Sequence, residues 1–371
     1  MADPQISIVV PALNEALNLT PLAEQIDAAL SVRSYEIIIV DDDSSDDSAT
    51  VAAKLAERFP VRMIVRKGAR DGLSGAVLRG FSEARGEYLV CMDADLQHPP
   101  AKLPELIAPL ESGDAEFVLG SRYVPGGSVA EGWNAFRALN SWVATVLARP
   151  FAGKITDPMS GFFALRRETY QRAERLTPLG YKIALELMCK SRVKNVKEVP
   201  IHFALRKRGQ SKLTVRQQFR YLEHLSRLYD FTFPRASPIS KFAIATIASG
   251  LFSYVAYRAI YDHAALPTAA AAPYLAYPFA ILIVAAFHVR YVRTQREFIV
   301  RRHPWGDFWV IALAEWLTCG IAALWIVARV PNLGKNELFL IPFGCATIVR
   351  YILRKEFLQD VRGLRKDIRP E

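Results

Sequence analysis

Cysteine is scarce in this chain and nowhere clustered. Cys91, Cys189, Cys319 and Cys345 are its only four, scattered over 371 residues without a Cys-x-x-Cys pair. That pattern excludes a disulfide framework and a cysteine-built zinc site. No secretory leader is expected either. Met1-Ala-Asp-Pro4 runs straight into Ile6-Ser-Ile-Val-Val10, without a basic stretch and long apolar core, so the first domain is expected to stay where it is made. Charge is what the C-terminal third lacks. Residues 242–257 carry none, 264–289 hold one histidine, 308–327 hold one acid (Glu315), and 338–349 carry none. With 51% hydrophobic residues and a mean hydropathy of +0.11, the chain is neither disordered nor typical of a wholly soluble enzyme.

The net charge of +10 is unevenly placed. Residues 1–120 hold 10 basic and 20 acidic groups, a balance of −10, whereas 121–234 hold 20 and 8, a balance of +12. An acidic half beside a basic half fits a metal-dependent site facing an anion site better than a nucleic-acid surface, and no nucleic-acid partner is expected.

Short β-rich runs alternate with helical patterns through residue 120, which is how a parallel α/β sheet is written. Strands are expected at 6–10, 35–40, 61–65, 88–92 and 116–120, with helices near 18–31, 47–58, 73–85 and 101–112. The stretches 37–40 and 89–92 are apolar at every position, as in strands covered on both faces. Ligands of such sheets bind at the C-terminal strand ends. There the polar clusters fall: Pro11 with Asn14 and Glu15, the acids from Asp41 to Asp47, and Asp93 with Asp95. An amphipathic helix over 133–151 and strands at 162–167 and 195–204 follow. The pattern over 214–233, with Val215, Phe219, Leu222, Leu225 and Leu228 on one face, reads equally as an interfacial helix on a membrane or as a core-packed helix.

A spanning helix needs about 20 residues. The second and third apolar runs meet this, while the first and fourth need Lys241, Arg258 and Arg350 to snorkel. Four spans are expected, about 240–260, 270–290, 308–328 and 337–353. The 261–273 connection has no Lys or Arg, whereas 290–302 has five arginines and the tail past 350 is basic. The positive-inside rule then places both termini and the 290–307 loop in the cytoplasm. Glu315 is a candidate functional residue because intramembrane carboxylates are costly.

Two carboxylates at i and i+2 after a strand, Asp93 and Asp95, suit a divalent cation and the sugar nucleotide that it bridges. Pro11-Ala-Leu-Asn14-Glu15, Asp41-Asp-Asp-Ser44, Asp93-Ala-Asp95-Leu-Gln97-His-Pro and Gly120-Ser-Arg122-Tyr occur in this order. Together they resemble family 2 inverting glycosyltransferases of the GT-A fold, and more narrowly dolichol-phosphate mannose synthases. The narrower resemblance continues through Asp157-Pro-Met-Ser-Gly161-Phe-Phe and Glu198-Val-Pro-Ile to Arg206, Ser211 and Lys212. The tail resembles the four-helix GtrA-like membrane domain. The expected organisation is a GT-A α/β domain over 1–213, an interfacial helix over 214–234 and a GtrA-like all-α membrane domain over 235–371.

The resemblance implies a donor site of Pro11, Asn14, Glu15, Asp41, Asp42, Gly72, Asp93, Asp95 and Gln97. It implies Mg²⁺ or Mn²⁺ on Asp93, Asp95 and Gln97. It further implies an acceptor-phosphate site of Arg122, Arg137, Ser141, Ser211 and Lys212, with Asp95, Arg122, Arg137 and Arg206 central to catalysis. An acidic pocket would repel a diphosphate unless a cation intervened, and Arg137 and Ser141 share a helix face at i, i+4. A lipid phosphate is already ionised, so no general base is required, and Asp157 reads as a loop-organising acid. The implied partners are a nucleotide sugar (GDP-mannose), a polyprenyl or dolichyl phosphate, and the bilayer. The implied reaction is inverting hexose transfer at the cytoplasmic face by a multi-pass membrane protein. UDP-glucose as donor, and a non-catalytic scaffold or lipid translocator, are the alternatives. A processive polysaccharide synthase is disfavoured, because the chain has no Arg-Trp dipeptide.

Overall fold

The computed structural model describes residues 3–68, 71–130, 135–177, 182–204, 215–294, 304–330 and 332–363. The chain divides into two compact units, Met1–Phe233 and Pro234–Glu371. In the first, strands β1 (Ile6–Ala12), β2 (Tyr35–Asp41), β3 (Val61–Val65) and β4 (Tyr88–Cys91) alternate with helices α1 (Ala16–Leu30), α2 (Ser48–Ala56) and α3 (Gly72–Glu83). Then come α4 (Leu103–Glu111), β5 (Phe117–Ser121), β6 (Ser128–Val129), α5 (Ala135–Ala152), β7 (Phe163–Arg166), α6 (Arg167–Gln171), α7 (Ile183–Lys190), β8 (Val196–Pro200), β9 (His202–Phe203) and α8 (Val215–Thr232).

Seven strands make one sheet in the order β3-β2-β1-β4-β7-β5-β8, with β7 antiparallel to both neighbours. The mostly parallel α/β sheet is therefore as expected. All seven residues of β2 are buried because each face of the sheet carries helices. Ile37 and Ile39 join a core with α1, α2 and α4, while Ile38 and Val40 join a core with α3, α5 and α7. Successive side chains of a strand point to opposite faces, so one apolar run feeds two cores.

The structure differs from expectation at one strand. The strand expected at 195–204 is two pieces: β8 pairs with β5, whereas β9 leaves the main sheet beyond Pro200 to pair with β6. A proline supplies no backbone donor for a ladder, so the break falls there. The α8 helix belongs to the first unit. Tyr221, Leu225 and Leu228 are buried in the core with α5 and α7, and the Tyr221 hydroxyl donates to Ala144 O at 2.7 Å. Leu222 of the same expected apolar face stays exposed. The side chains of Val215 and Phe219 lie outside the described residues.

The second unit is helical: α9 (Ser237–His263), α10 (Ala271–Thr294), α11 (Pro304–Arg329) and α12 (Lys335–Gly363). Three of its helices are long and apolar enough to cross a membrane, over Ile239–His263, Phe308–Arg329 and Lys335–Leu353. The apolar segment described in the remaining helix is Ala271–Ala286, within α10, whose 24 residues cover most of the expected 270–290 segment. The first run extends into a full span, beyond the 16 uncharged residues that the sequence shows over 242–257. Ala272, Ala276 and Ala280 repeat at i, i+4 on the buried face of α10, where small side chains let helices approach closely. Ile244, Leu251, Val255, Leu282 and Ile321 point outward and are exposed, the surface of a bundle whose solvent is hydrocarbon.

Candidate functional site

The parallel strands end together, and their loops form the site's floor. Asn14 follows β1 with φ of 59° and Asp43 follows β2 with φ of 64°, left-handed conformations that Asn and Asp tolerate. Backbone N–H of Asn14 donates to Ser44 Oγ at 2.8 Å, and Ser45 N–H donates to Asn14 Oδ1 at 2.9 Å. Asp41, buried, accepts from Ser44 N–H at 2.9 Å and from the Ser44 hydroxyl. Glu15 accepts from Asn18 Nδ2 at 2.6 Å. Asp46 ties the start of α1 to the start of α2, accepting from Ala16 N–H at 3.0 Å and Ser48 N–H at 3.1 Å. Burial pushes its carboxyl up, but the Ser48 and Ala16 hydrogen bonds outweigh that and hold it low. Asn14 and Asp41 thus brace the loops that follow β1 and β2.

Asp42 is held by a residue the sequence reading missed. Arg66, just past β3, donates from Nε to Asp42 Oδ1 at 2.7 Å, from Nη1 to Asp71 at 2.9 Å and from Nη2 to Gly72 O at 2.9 Å. Burial raises the Asp42 carboxyl, and the arginine only partly offsets it. The signal available was the position of Arg66 and Asp71 at the C-terminal end of a parallel strand.

After β4 the chain turns sharply. Leu96 adopts φ of 62°, and Gln97 N–H returns to Asp95 Oδ1 at 3.1 Å. Asp95 is buried. Gln97 Nε2 donates to Ala204 O at 2.9 Å while Ala204 N–H donates to Gln97 O at 3.1 Å. That clamp commits the amide nitrogen and leaves the amide oxygen as the end able to ligate a cation. His98, buried, accepts from Asp93 N–H through Nδ1 at 3.1 Å and stacks on Phe162 at 5.3 Å between centroids. Burial lowers the His98 pKa, keeping the ring neutral. Among the described residues no three His, Cys, Asp or Glu side chains converge on one point, so protein carboxylates alone do not complete a metal shell. The hard-oxygen set of two carboxylates and an amide fits a cation such as Mg²⁺ or Mn²⁺, whose remaining ligands would come from outside the protein.

Opposite stands a buried ion pair. Arg122, after β5, donates from Nε and Nη2 to the two oxygens of Asp157 at 2.7 and 2.8 Å. Arg122 N–H donates to the same carboxylate at 3.1 Å. The guanidinium lies 5.3 Å from the Tyr123 ring centroid and 5.2 Å from that of Phe203. Burial works against its charge, but the Asp157 bonds outweigh it and raise the pKa. Asp157 organises its loop, as its sequence context implied. Glu198 accepts from the N–H groups of Thr156 and Asp157 at 2.9 and 3.0 Å. The Tyr123 hydroxyl and Ser141 Oγ lie 3.0 Å apart. Arg137 sits one turn before Ser141 on α5, but its side chain lies outside the described residues, as do Arg206, Ser211 and Lys212. Lys182, a second residue the sequence reading missed, donates to Met159 O at 2.6 Å. Burial, then Arg122, pulls its ammonium down to about 8. Nothing in its local sequence marks it.

A mostly parallel sheet with acidic loops and a DxD turn at its strand ends is the frame of a nucleotide-sugar transferase, and residues 7–173 match the model of glycosyl transferase family 2. The chain belongs to this family and is a glycosyltransferase. It is similar to dolichol-phosphate mannosyltransferases of three organisms. It is 41% identical to that of Saccharomyces cerevisiae over 265 residues, 68% of this chain and 97% of the yeast protein. It is 45% identical to that of Mycosarcoma maydis over 240 residues, 62% of this chain and 81% of the relative. With that of Pyrococcus furiosus it shares 44% over 227 residues, 60% of this chain and 63% of the relative.

Proposed function

We propose that the protein transfers mannose from GDP-mannose to a polyprenyl or dolichyl phosphate, with inversion, at the cytoplasmic face of a membrane. The observation that carries this reading is the match to nearly the whole yeast dolichol-phosphate mannosyltransferase, combined with the Asp93, Asp95 and Gln97 turn. Pro11, Asn14, Glu15, Asp41, Asp42 and Gly72 would line the nucleotide end. A divalent cation, Mg²⁺ or Mn²⁺, would be held by Asp93, Asp95 and Gln97 and would supply charge to the leaving diphosphate. Arg122, Arg137 and Ser141, with Arg206, Ser211 and Lys212, would hold the acceptor phosphate.

The lipid phosphate is anionic at neutral pH, so its oxygen attacks the anomeric carbon without a base. The new bond between that oxygen and the anomeric carbon forms as the carbon–oxygen bond to the nucleotide diphosphate breaks, its electron pair leaving on the diphosphate. Residues of this chain contribute positioning and fixed charge. Arg122 is preorganised for this, since Asp157 fixes its plane.

Two further features fit an acceptor with a long apolar tail. The α5 helix that carries Arg137 and Ser141 exposes Trp142, Val143, Val146 and Leu147. In the chain, α8 leads directly into the first apolar span. Topology with both termini and the 290–307 loop in the cytoplasm follows from the arginine distribution.

The test is transfer of radiolabelled sugar to polyprenyl phosphate, with GDP-mannose and UDP-glucose in parallel. Mannosyl lipid from GDP-mannose is expected, and it should vanish in Asp95→Ala, where the diphosphate faces an incomplete cation site. Glucosyl lipid alone would overturn the donor assignment. No lipid product from either donor, by a folded protein, would overturn the acceptor.

A further inference from the structure

The 157–161 loop is a meeting point for groups of both halves of the site. Asp157 grips Arg122 with both carboxylate oxygens. At its other end, Gly161 faces the donor side: a Cβ built there would stand 3.4 Å from Asp93 Oδ2. Between them, Met159 offers its carbonyl to Lys182 Nζ at 2.6 Å. Lys182 is only half-buried as a residue, yet its ammonium end is drawn inward to this seam, where Arg122, Asp157 and Asp93 all act on it electrostatically.

We propose that Lys182 is a cation of the acceptor-phosphate pocket, binding the lipid phosphate beside Arg122. The inference rests on the acceptor reading above and extends it to a residue that the family resemblance did not supply. Its argument is a charge balance. A phosphate monoester brings a charge of about −1.5 to −2. Arg122 meets it with a guanidinium already matched by Asp157 through two short bonds. The pocket proposed above therefore needs further cations beside Arg122, and Lys182 is one anchored on the loop that Asp157 belongs to. A compact ammonium on a flexible four-carbon stem can pivot from a carbonyl to an incoming anion without rebuilding the loop. Lys182 also stands immediately before α7, the end of a helix where anions are favoured.

The competing role is structural: Lys182 as a strut for the 157–161 loop. The experiment separates the two in the full-length protein in detergent, with Lys182→Met and Lys182→Arg. It uses a short water-soluble polyprenyl phosphate as acceptor, GDP calorimetry as the donor readout and thermal unfolding as the folding control. In Lys182→Met the acceptor KM is expected to rise about ten- to a hundred-fold, the size of one charge-assisted phosphate contact. GDP affinity should move less than about threefold. Lys182→Arg should recover most of the acceptor KM, since charge rather than shape is what the pocket uses. An unchanged acceptor KM in folded Lys182→Met overturns the proposal, and so does a parallel loss of GDP affinity and melting temperature, the mark of a strut. Should Lys182→Met fail to fold, Lys182→Arg decides: an acceptor KM within about fivefold of wild type supports the proposal, and a larger rise in a folded variant overturns it. If the wild-type chain itself makes no mannosyl lipid, the acceptor reading falls and this inference with it. An active wild type with an indifferent Lys182→Met sinks this inference alone.

Discussion

Among the described residues, each unit holds an arginine gripped by a buried carboxylate, Asp157 in the first and Glu315 in the second, and their surroundings differ. In the catalytic unit Arg122 meets Asp157 fork to fork, each carboxylate oxygen receiving its own guanidinium nitrogen, and a backbone N–H adds a third bond. In the helical unit Arg350 directs Nε and Nη2 at a single oxygen of Glu315, each at 2.8 Å. Tyr277 completes a triangle, donating to that oxygen at 3.1 Å and accepting from Arg350 at 3.0 Å. Glu315 Oε1 is buried with no hydrogen-bond partner among the described residues. The first pair is held in place by loops rich in polar groups, so its geometry is over-determined. The second joins α10, α11 and α12 inside an apolar bundle, where each element supplies one polar side chain. A buried ion pair gives weak net stability, because desolvation offsets attraction. The difference points to a division of labour: the first pair fixes a guanidinium in the proposed acceptor site, and the bundle pair registers helices against one another.

Breaking the catalytic pair should have the largest effect. Asp157→Ala leaves Arg122 buried without its carboxylate, at a cost of about 3–5 kcal/mol. It also frees the guanidinium from the plane that Asp157 fixes. Mannosyl transfer is expected to be undetectable in that variant, and the catalytic unit should unfold well below wild type in a thermal scan. Retained transfer would show that Arg122 needs no orienting partner.

The bundle pair should behave differently. Arg350→Leu alone strands Glu315 in an apolar interior and should destabilise the helical unit by a similar few kcal/mol, read as loss of detergent-extracted monodisperse protein. Replacing both partners, Glu315→Leu with Arg350→Leu, should restore most of that stability, because well-packed apolar groups commonly replace a buried pair without loss. Transfer to a short-chain acceptor by the double variant should stay within about threefold of wild type. A folded double variant devoid of transfer would end the division of labour and give the bundle pair a part in the reaction.

How much of this could be read from the sequence depends on the range of the interaction. Strands β1 to β5 were legible because apolar runs flanked by polar clusters are local signals. The antiparallel insertion of β7 between β4 and β5 was not, since the run 162–167 has the same pattern in either direction. The turn at Asp93, Asp95 and Gln97 was legible as a motif, yet Ala204 as the partner of Gln97 lies 107 residues away. Lys182 was invisible for the same reason, an ordinary basic residue until the fold brings Met159 to it, whereas Arg66 carried only the weak signal of standing at a strand's C-terminal end. The α8 helix shows the limit of amphipathic patterning. A helix packed on a core and a helix lying on a bilayer have the same stripe, and only the neighbours α5 and α7 decide which residues are buried.

The smallest expected effect lies beside the catalytic pair, at His98, and it shows how that unit excludes charge that it does not use. Its Nδ1 accepts from Asp93 N–H, which a protonated ring cannot do, and its faces pack on Phe162 and Phe203. Burial lowers its pKa below the ordinary value, with Arg122 acting in the same direction and Asp93, Asp95 and Asp157 opposing. The unfolded chain therefore binds this proton more readily than the folded one. Stability is full above the unfolded value of about 6.5 and is lost as pH falls toward the folded pKa. One proton sets the ceiling, about 1.4 kcal/mol per pH unit. We expect the melting temperature of the catalytic unit to decline between pH 7 and pH 5, with GDP affinity declining alongside as Asp93 loses its backbone anchor. Asn at this position offers a non-titrating oxygen where Nδ1 stands, at the cost of packing against Phe162. His98→Asn should thus melt lower at pH 7 but lose less between pH 7 and pH 5. An identical slope in wild type and His98→Asn would transfer the acid sensitivity to the carboxylates of the site, where protonation of Asp93 or Asp157 would dismantle the same turn from the other side.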